Sequence, residues 1–236
     1  MSKRSNPVRA TWMALVASLT FILTLSACAA SRQPRGVPEE AGFLGNYSQL
    51  EPGKDGQAAL VYIHPDVDWK SYTAVQFESV TLWPGKDGGL ASLSAEDQQM
   101  LADRLYKAVH DALSKEIKIV TSPGPGVLRL RVALTEASST MVVLNAVATI
   151  VPQIRTVTTL AGLAANTSLT VGSATIEGDV RDSLTQARLA AFVDKRIGQR
   201  SLQGLGTWSQ VQAAFDHSGE QFANRLAELR GTKQAD

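Results

Sequence analysis

The chain has one cysteine and three histidines in 236 residues, so no internal disulfide can hold it, and side chains for metal centres or Cys/His catalysis are scarce. Aromatic residues make up 6%. Neither sign of charge dominates, with 23 Lys and Arg against 22 Asp and Glu. No basic stripe with interleaved aromatics is present, which sets nucleic acid aside as a partner. Gly53-Lys54 and Gly85-Lys86 are each followed by Asp, not by the Ser or Thr of a phosphate-binding loop. Gly204-Leu205-Gly206 lacks the third Gly of a dinucleotide fingerprint, and Ser173 lacks the second Gly of a nucleophile elbow. The run His64-Pro65-Asp66-Val67-Asp68 lacks the further oxygens and the Gly of a calcium loop. His110 and His217 fall in expected helices without a nucleophile beside them. The expectation is a chain with no catalytic residue, no metal and no cofactor.

What is present begins at the N-terminus. Lys3, Arg4 and Arg9 come without an acid, an apolar stretch follows from Trp12 to Leu25, and small residues close it. This is the layout of a secretory signal peptide over residues 1–27, too short for the roughly 20 apolar residues of a membrane span. Leu25-Ser26-Ala27-Cys28 resembles the lipobox of bacterial lipoproteins, which implies cleavage between Ala27 and Cys28 and diacylglycerol on the Cys28 sulfur. One acyl chain holds a protein marginally and two or more hold it stably, at about 0.8 kcal/mol per buried CH₂. Ala29 follows where enteric-type inner-membrane retention uses Asp, so in a diderm host the resemblance implies the outer membrane, facing the periplasm. Cleavage removes three basic residues and no acid, taking the net charge from +1 to −2.

Residues 28–40 read as anchor and tether, with a reach of about 20 Å, and residues 41–236 as one domain. Ala59 to Ile63 and Ala74 to Val80 read as strands. Ser94 to Leu113 opens on a capping-box variant and sets Leu101, Leu105, Ala108, Val109 and Ala112 on one helical face. Val127 to Thr135 alternates strictly, which predicts a half-buried strand with Arg129 and Arg131 facing solvent. Ser168 to Val180 and Arg188 to Arg196 read as a hairpin, and Thr207 as the start of a last helix carrying Val211, Phe215, Phe222, Leu226 and Leu229. Consecutive strands favour an α+β fold with a mainly antiparallel sheet and two helices on one face. The pentapeptide Pro-Gly-Lys-Asp-Gly at Pro52 to Gly56 and Pro84 to Gly88 is turn chemistry used twice.

Two features carry functional expectations. Thr140 to Ala165 is apolar with the single charge Arg155, and Val143, Val147, Ile150, Ile154 and Val157 follow the alternating 4-3 spacing of a packed helical seam. That insertion has three destinations: packing against the protein's own sheet, the default fate of apolar residues, a candidate interaction surface for a second copy or an envelope protein, or contact with the membrane. Asp179, Asp182 and Asp194 are strand-end carboxylates that would have to converge to serve catalysis.

With the lipobox, Gly42-Phe43-Leu44 and Tyr47-Ser48-Gln49-Leu50 after the tether, and Gly172-Ser173-Ala174, Ile176-Glu177, Asp182-Ser183 and Val193-Asp194 in the hairpin, the chain resembles the lipoproteins carrying domain of unknown function 3313. Ala214-Phe215-Asp216-His217 in the last helix fits the same pattern. Asn46 stands where the family often has an acid, and Gln186 where it often has a turn Gly. The resemblance implies an envelope location and no particular activity. The expected function is a non-enzymatic, lipid-anchored binding or assembly module. The alternative is an envelope hydrolase or small-ligand carrier built on the strand-end carboxylates.

Overall fold

The computed structural model describes residues 38, 40–85, 89–138, 172–197 and 208–233. The signal segment, Cys28 and the insertion with Val143, Val147, Ile150, Ile154 and Val157 lie outside the described residues.

The elements run β1 (Glu51–Pro52), β2 (Leu60–Ile63), β3 (Ala74–Phe77), β4 (Thr81–Leu82), α1 (Ala95–Glu116), β5 (Lys118–Val120), β6 (Val127–Ser138), β7 (Ser173–Asp182), β8 (Arg188–Ile197) and α2 (Ser209–Leu229). Helix α1 starts where the sequence places it, because Ser94 Oγ accepts from the Asp97 amide at 3.1 Å and Glu96 and Asp97 sit in the first turn, where negative charge meets the helix dipole. Its buried stripe includes Leu101, Leu105, Val109 and Ala112, at the expected spacing. Helix α2 begins after Trp208, which gives no side-chain cap; the expected cap residue Thr207 lies outside the described residues. The helices cross closely at Gly219, where a Cβ would lie 2.9 Å from the Ala108 carbonyl oxygen.

The strands form one eight-stranded sheet in the order β1-β2-β8-β7-β6-β3-β5, with β4 also paired to β6. The sheet is mixed and not mainly antiparallel: β3 and β4 run parallel to β6, and β5 runs parallel to β3. The expectation failed because β2 and β3 are consecutive in sequence but not neighbours. β2 pairs with β8, while β3 lies beyond β6 and returns through α1 to the short parallel strand β5, the crossover that parallel strands require. The fold is α+β as expected.

Strand pairing assigns the faces. Val75, Leu128, Leu130, Val132, Leu134, Ile176 and Val180 share a core with Leu101, Leu105 and Leu113 of α1 and Val211, Phe215 and Leu226 of α2. Both helices therefore cover one face. Gly178 stands opposite Phe192 on that face, and a Cβ there would fall inside the Phe192 ring. On the opposite face the pairs Arg129↔Arg181, Arg131↔Asp179 and Ala133↔Glu177 line up across β6 and β7. A register shift between Leu134 and Glu136 keeps Glu136 opposite Thr175, which brings Glu136 onto this face too. Leu44, Tyr47, Leu60, Ala191 and Val193 form a smaller apolar cluster there.

Candidate functional site

The second face contradicts the simplest reading of the β6 alternation, which sends Arg129 and Arg131 to solvent. Their side chains are only 33% and 31% exposed. Residues 41–50 lie across part of this face as a strap, and the face beneath is polar because carboxylates and guanidiniums neutralise each other there.

The strap turns at Gly42 and Gly45, both left-handed with φ +99 and +72, where a side chain would be strained. The Gly45 amide donates to the Gly42 carbonyl at 3.2 Å. That turn directs Leu44 and Tyr47 downward, and both are buried. Tyr47 Oη donates to Glu177 Oε2 at 2.6 Å and accepts from the amides of Gly42 at 2.8 Å and Leu44 at 3.3 Å. The Ala41 amide donates to Glu177 Oε1 at 3.3 Å. Above the sheet edge, Trp83 Nε1 donates to the Ala41 carbonyl at 3.0 Å, and the Arg131 guanidinium lies 5.2 Å from the centre of the Phe43 ring, a cation–π geometry.

Asp179, two residues from Glu177 on the same face, has no exposed surface. Its Oδ2 accepts from Arg131 Nη2 at 2.6 Å and Arg181 Nε at 2.7 Å, and its Oδ1 from Arg188 Nε at 2.9 Å. Arg188 also donates to the strap carbonyls of Asn46 at 2.9 Å and Leu44 at 2.6 Å. One buried carboxylate thus aims the guanidinium that grips the strap. Further along the face, Glu136 pairs with Lys195 at 2.8 Å and accepts from Thr175 and Ser173, and Arg129 pairs with Glu78 at 2.5 Å.

The neighbouring acids differ in their titration. Burial raises the Glu177 pKa, and the hydrogen bonds from Tyr47 and the strap amides only partly oppose it. Burial also works against ionised Asp179, but hydrogen bonds from Arg181 and Arg131 outweigh it and hold its carboxyl below the usual range. The Tyr47 phenol is pushed up to about 12 by burial and by its bond to Glu177, so it stays a neutral donor. This arrangement can hold a peptide segment by its carbonyls and one phenol. It presents no open carboxylate pair.

Nor do the three strand-end carboxylates converge. Asp179 belongs to the second face. Asp182 closes the β7–β8 turn, accepting from the Leu184 and Thr185 amides at 2.9 and 2.8 Å and from Tyr72 Oη at 2.9 Å. Asp194 lies on the helix face, held by Arg196 Nε at 2.9 Å and Ser218 Oγ at 2.5 Å. Burial, then the charge of Arg196, lowers the pKa of His217, and His64 Nδ1 accepts only the Asp66 amide at 3.2 Å among its described bonds. A groove of about 490 Å³ runs between the β1–β2 turn and the second half of α2, lined by Val61, Ile63, Phe192, Phe222, Arg225 and Leu229 among others. Among the described residues no group of His, Cys, Asp and Glu is arranged to hold a metal ion.

Glu177, Arg188 and the strap were missed as a site in the sequence. Tyr47, Leu44 and Glu177 stood only in family motifs, and the signal that unites them is a contact 130 residues apart. No curated protein matches the chain. Among solved structures it is similar to two of the PelC dodecamer from Paraburkholderia phytofirmans, one of them a point variant. Each is 10% identical with a TM-score of 0.36, covering 69% and 68% of this chain and 94% and 95% of theirs. A family model described as a protein of unknown function, DUF3313, matches residues 39–222, and the chain belongs to that family.

Proposed function

We propose that the protein is a lipid-anchored binding or assembly module of the bacterial outer membrane, facing the periplasm, attached through Cys28 and not an enzyme. The observation that carries this reading is the fastening of the strap. It begins about a dozen residues after Cys28 and is bound to the sheet through Tyr47–Glu177 and through the Arg188 fork. A domain hung from its N-terminus needs its first residues secured, or motion of the tether frays the fold from that end. One further fact supports it. Asp179, Asp182 and Asp194 are each engaged in a separate place, which favours binding over hydrolysis.

The test is metabolic labelling with a fatty-acid analogue followed by membrane fractionation. The wild-type chain takes up label and sediments with the outer membrane, and Cys28→Ala takes up none and keeps its signal segment. Equal labelling of the two chains refutes lipidation, and recovery of the wild type in the inner membrane refutes the sorting.

A further inference from the structure

The helix layer is narrower than the sheet. Strand β2 lies beyond β8, past the side of α2, and the gap between them is the groove of about 490 Å³, within the roughly 300 to 1,000 Å³ of small-molecule sites. Its floor is apolar. Val61 and Ile63 of β2 and Phe192 of β8 come from the strand positions that face the helices. Phe222 of α2 packs on Phe192 with ring centres 5.3 Å apart, and Leu229 adds to the same surface. All five are half-buried, so the floor still faces water.

One wall of the groove is the α2 series Gln221, Asn224, Arg225 and Glu228, at the i, i+3, i+4 and i+7 positions of one helix face. Their oxygens are engaged. Gln221 Oε1 accepts from Arg196 Nη2, Asn224 Oδ1 accepts from Lys233 Nζ at 2.8 Å, and Glu228 Oε2 accepts from Arg225 Nη1 at 2.8 Å. A cation can only donate, so it fixes which way each amide points. The amide N–H groups of Gln221 and Asn224 are therefore left without an acceptor among the described residues. Arg225 is 42% exposed and keeps Nη2 open, and its Nε is buried with no acceptor. Asp194, which also lines the groove, is held by Arg196 and Ser218. With the paired charges set aside, the lining has Lys54 against Asp55, both exposed at the β1–β2 turn. Net charge thus selects neither anion nor cation, and selection falls to the open donors of α2.

We propose that the groove binds a fatty-acyl compound, with its chain on the apolar floor and its carboxylate or ester oxygens on Gln221, Asn224 and Arg225. Each CH₂ of the chain that leaves water on the floor raises affinity by about fourfold. A head that only accepts meets donors that lack partners, and a guanidinium turned to that head gains a bond that its Nε now lacks. An ammonium head brings donors to donors, and has to take Asp55 or displace Arg225 from Glu228. The inference goes beyond the anchor reading and does not depend on it, since the groove is on the helix side of the sheet and the strap on the other.

The probe is octanoate with a terminal diazirine, photocrosslinked to the purified full chain in digitonin, a detergent without acyl chains, and mapped by mass spectrometry. Label saturates and concentrates on Leu60–Ile63, Phe192 and Phe222. Octanoate and methyl octanoate compete it away, whereas octylamine needs at least about tenfold more. Arg225→Leu weakens octanoate by about tenfold and narrows its lead over octylamine. Val61→Arg puts a charge on the floor and abolishes the label with the melting temperature unchanged; if that variant unfolds, Arg225→Leu decides alone. Label spread over the surface or centred elsewhere, octylamine equal to octanoate, or an Arg225→Leu chain with the wild-type order of competitors overturns the proposal. Crosslinks between copies in the groove without octanoate label give it to a second copy and overturn the proposal equally. Failure of the anchor reading appears separately, as fatty-acid label on Cys28→Ala, and leaves the competition unchanged.

Discussion

Replacing Asp179 by Asn tests whether the charge cluster holds the second face together. The two side chains have the same shape, so no cavity opens and the change is electrostatic. Asp179 Oδ2 accepts from Arg131 and Arg181, and Oδ1 accepts from Arg188. An Asn carbonyl placed at Oδ2 still serves the first two, but its amide at Oδ1 then points N–H at the N–H of Arg188. Three guanidiniums lose their counter-ion, and the one facing the amide is the residue that grips Leu44 and Asn46. Removing one partner of a buried ion pair costs about 3 to 5 kcal/mol. The arginines retain 12 to 31% exposure, so some of their charge rehydrates and about 3 kcal/mol is expected. The sign with pH follows from the depressed Asp179 pKa. The carboxylate contributes its stability above an ordinary aspartate value of about 3.9 and loses it as pH falls through the folded value. Urea denaturation at pH 7 and pH 3 should show a gap between wild type and variant that is large at pH 7 and smaller at pH 3. A cost under about 1 kcal/mol at pH 7, or a gap independent of pH, refutes the reasoning.

Leu130→Ala empties a fully buried site in the helix-side core and should cost about 2 to 5 kcal/mol in chemical denaturation. Arg131→Ala should cost about 1.5 to 3 kcal/mol, because it removes a charged hydrogen bond to Asp179 as well as the stack on Phe43. Gly178→Ala drives a methyl into the Phe192 ring and should lower stability by about 1 to 3 kcal/mol, with partial recovery on adding Phe192→Leu, both read from thermal melts. Gln186 adopts φ +61 in the hairpin turn, so Gln186→Gly relieves backbone strain but loses the side-chain bonds to Arg129 and to the Ser183 carbonyl. Its stability should stay within about 1 kcal/mol of wild type.

Periodicity made α1, β6 and the β7–β8 hairpin legible, since each is long enough for its apolar residues to repeat several times at one spacing. The alternation of β6 also sorted its residues correctly into two faces. It did not say that the polar face is covered. Arg131 lies under the strap because Asp179, 48 positions later, arrives beside it in register, and no local pattern encodes that meeting. β5 escaped notice because three residues are too few for a period. Its absence from the sequence reading hid the parallel half of the sheet. The carboxylates were legible as residues but not as neighbours: Asp179 and Asp194 are separated by an odd number of positions across the register of the hairpin, which sends them to opposite faces.

The two ends of the sheet bear on how copies of this chain can meet. One end is the two-residue strand Glu51–Pro52 and the other is Lys118–Val120. A proline offers no amide hydrogen to an incoming strand, and a lysine at an edge discourages stacking against a like edge. Strands this short give another chain little backbone to template on. Among the described residues, copies of this chain therefore have few means of joining sheet to sheet. Association through the described residues then falls to side-chain surfaces, where a single substitution changes it.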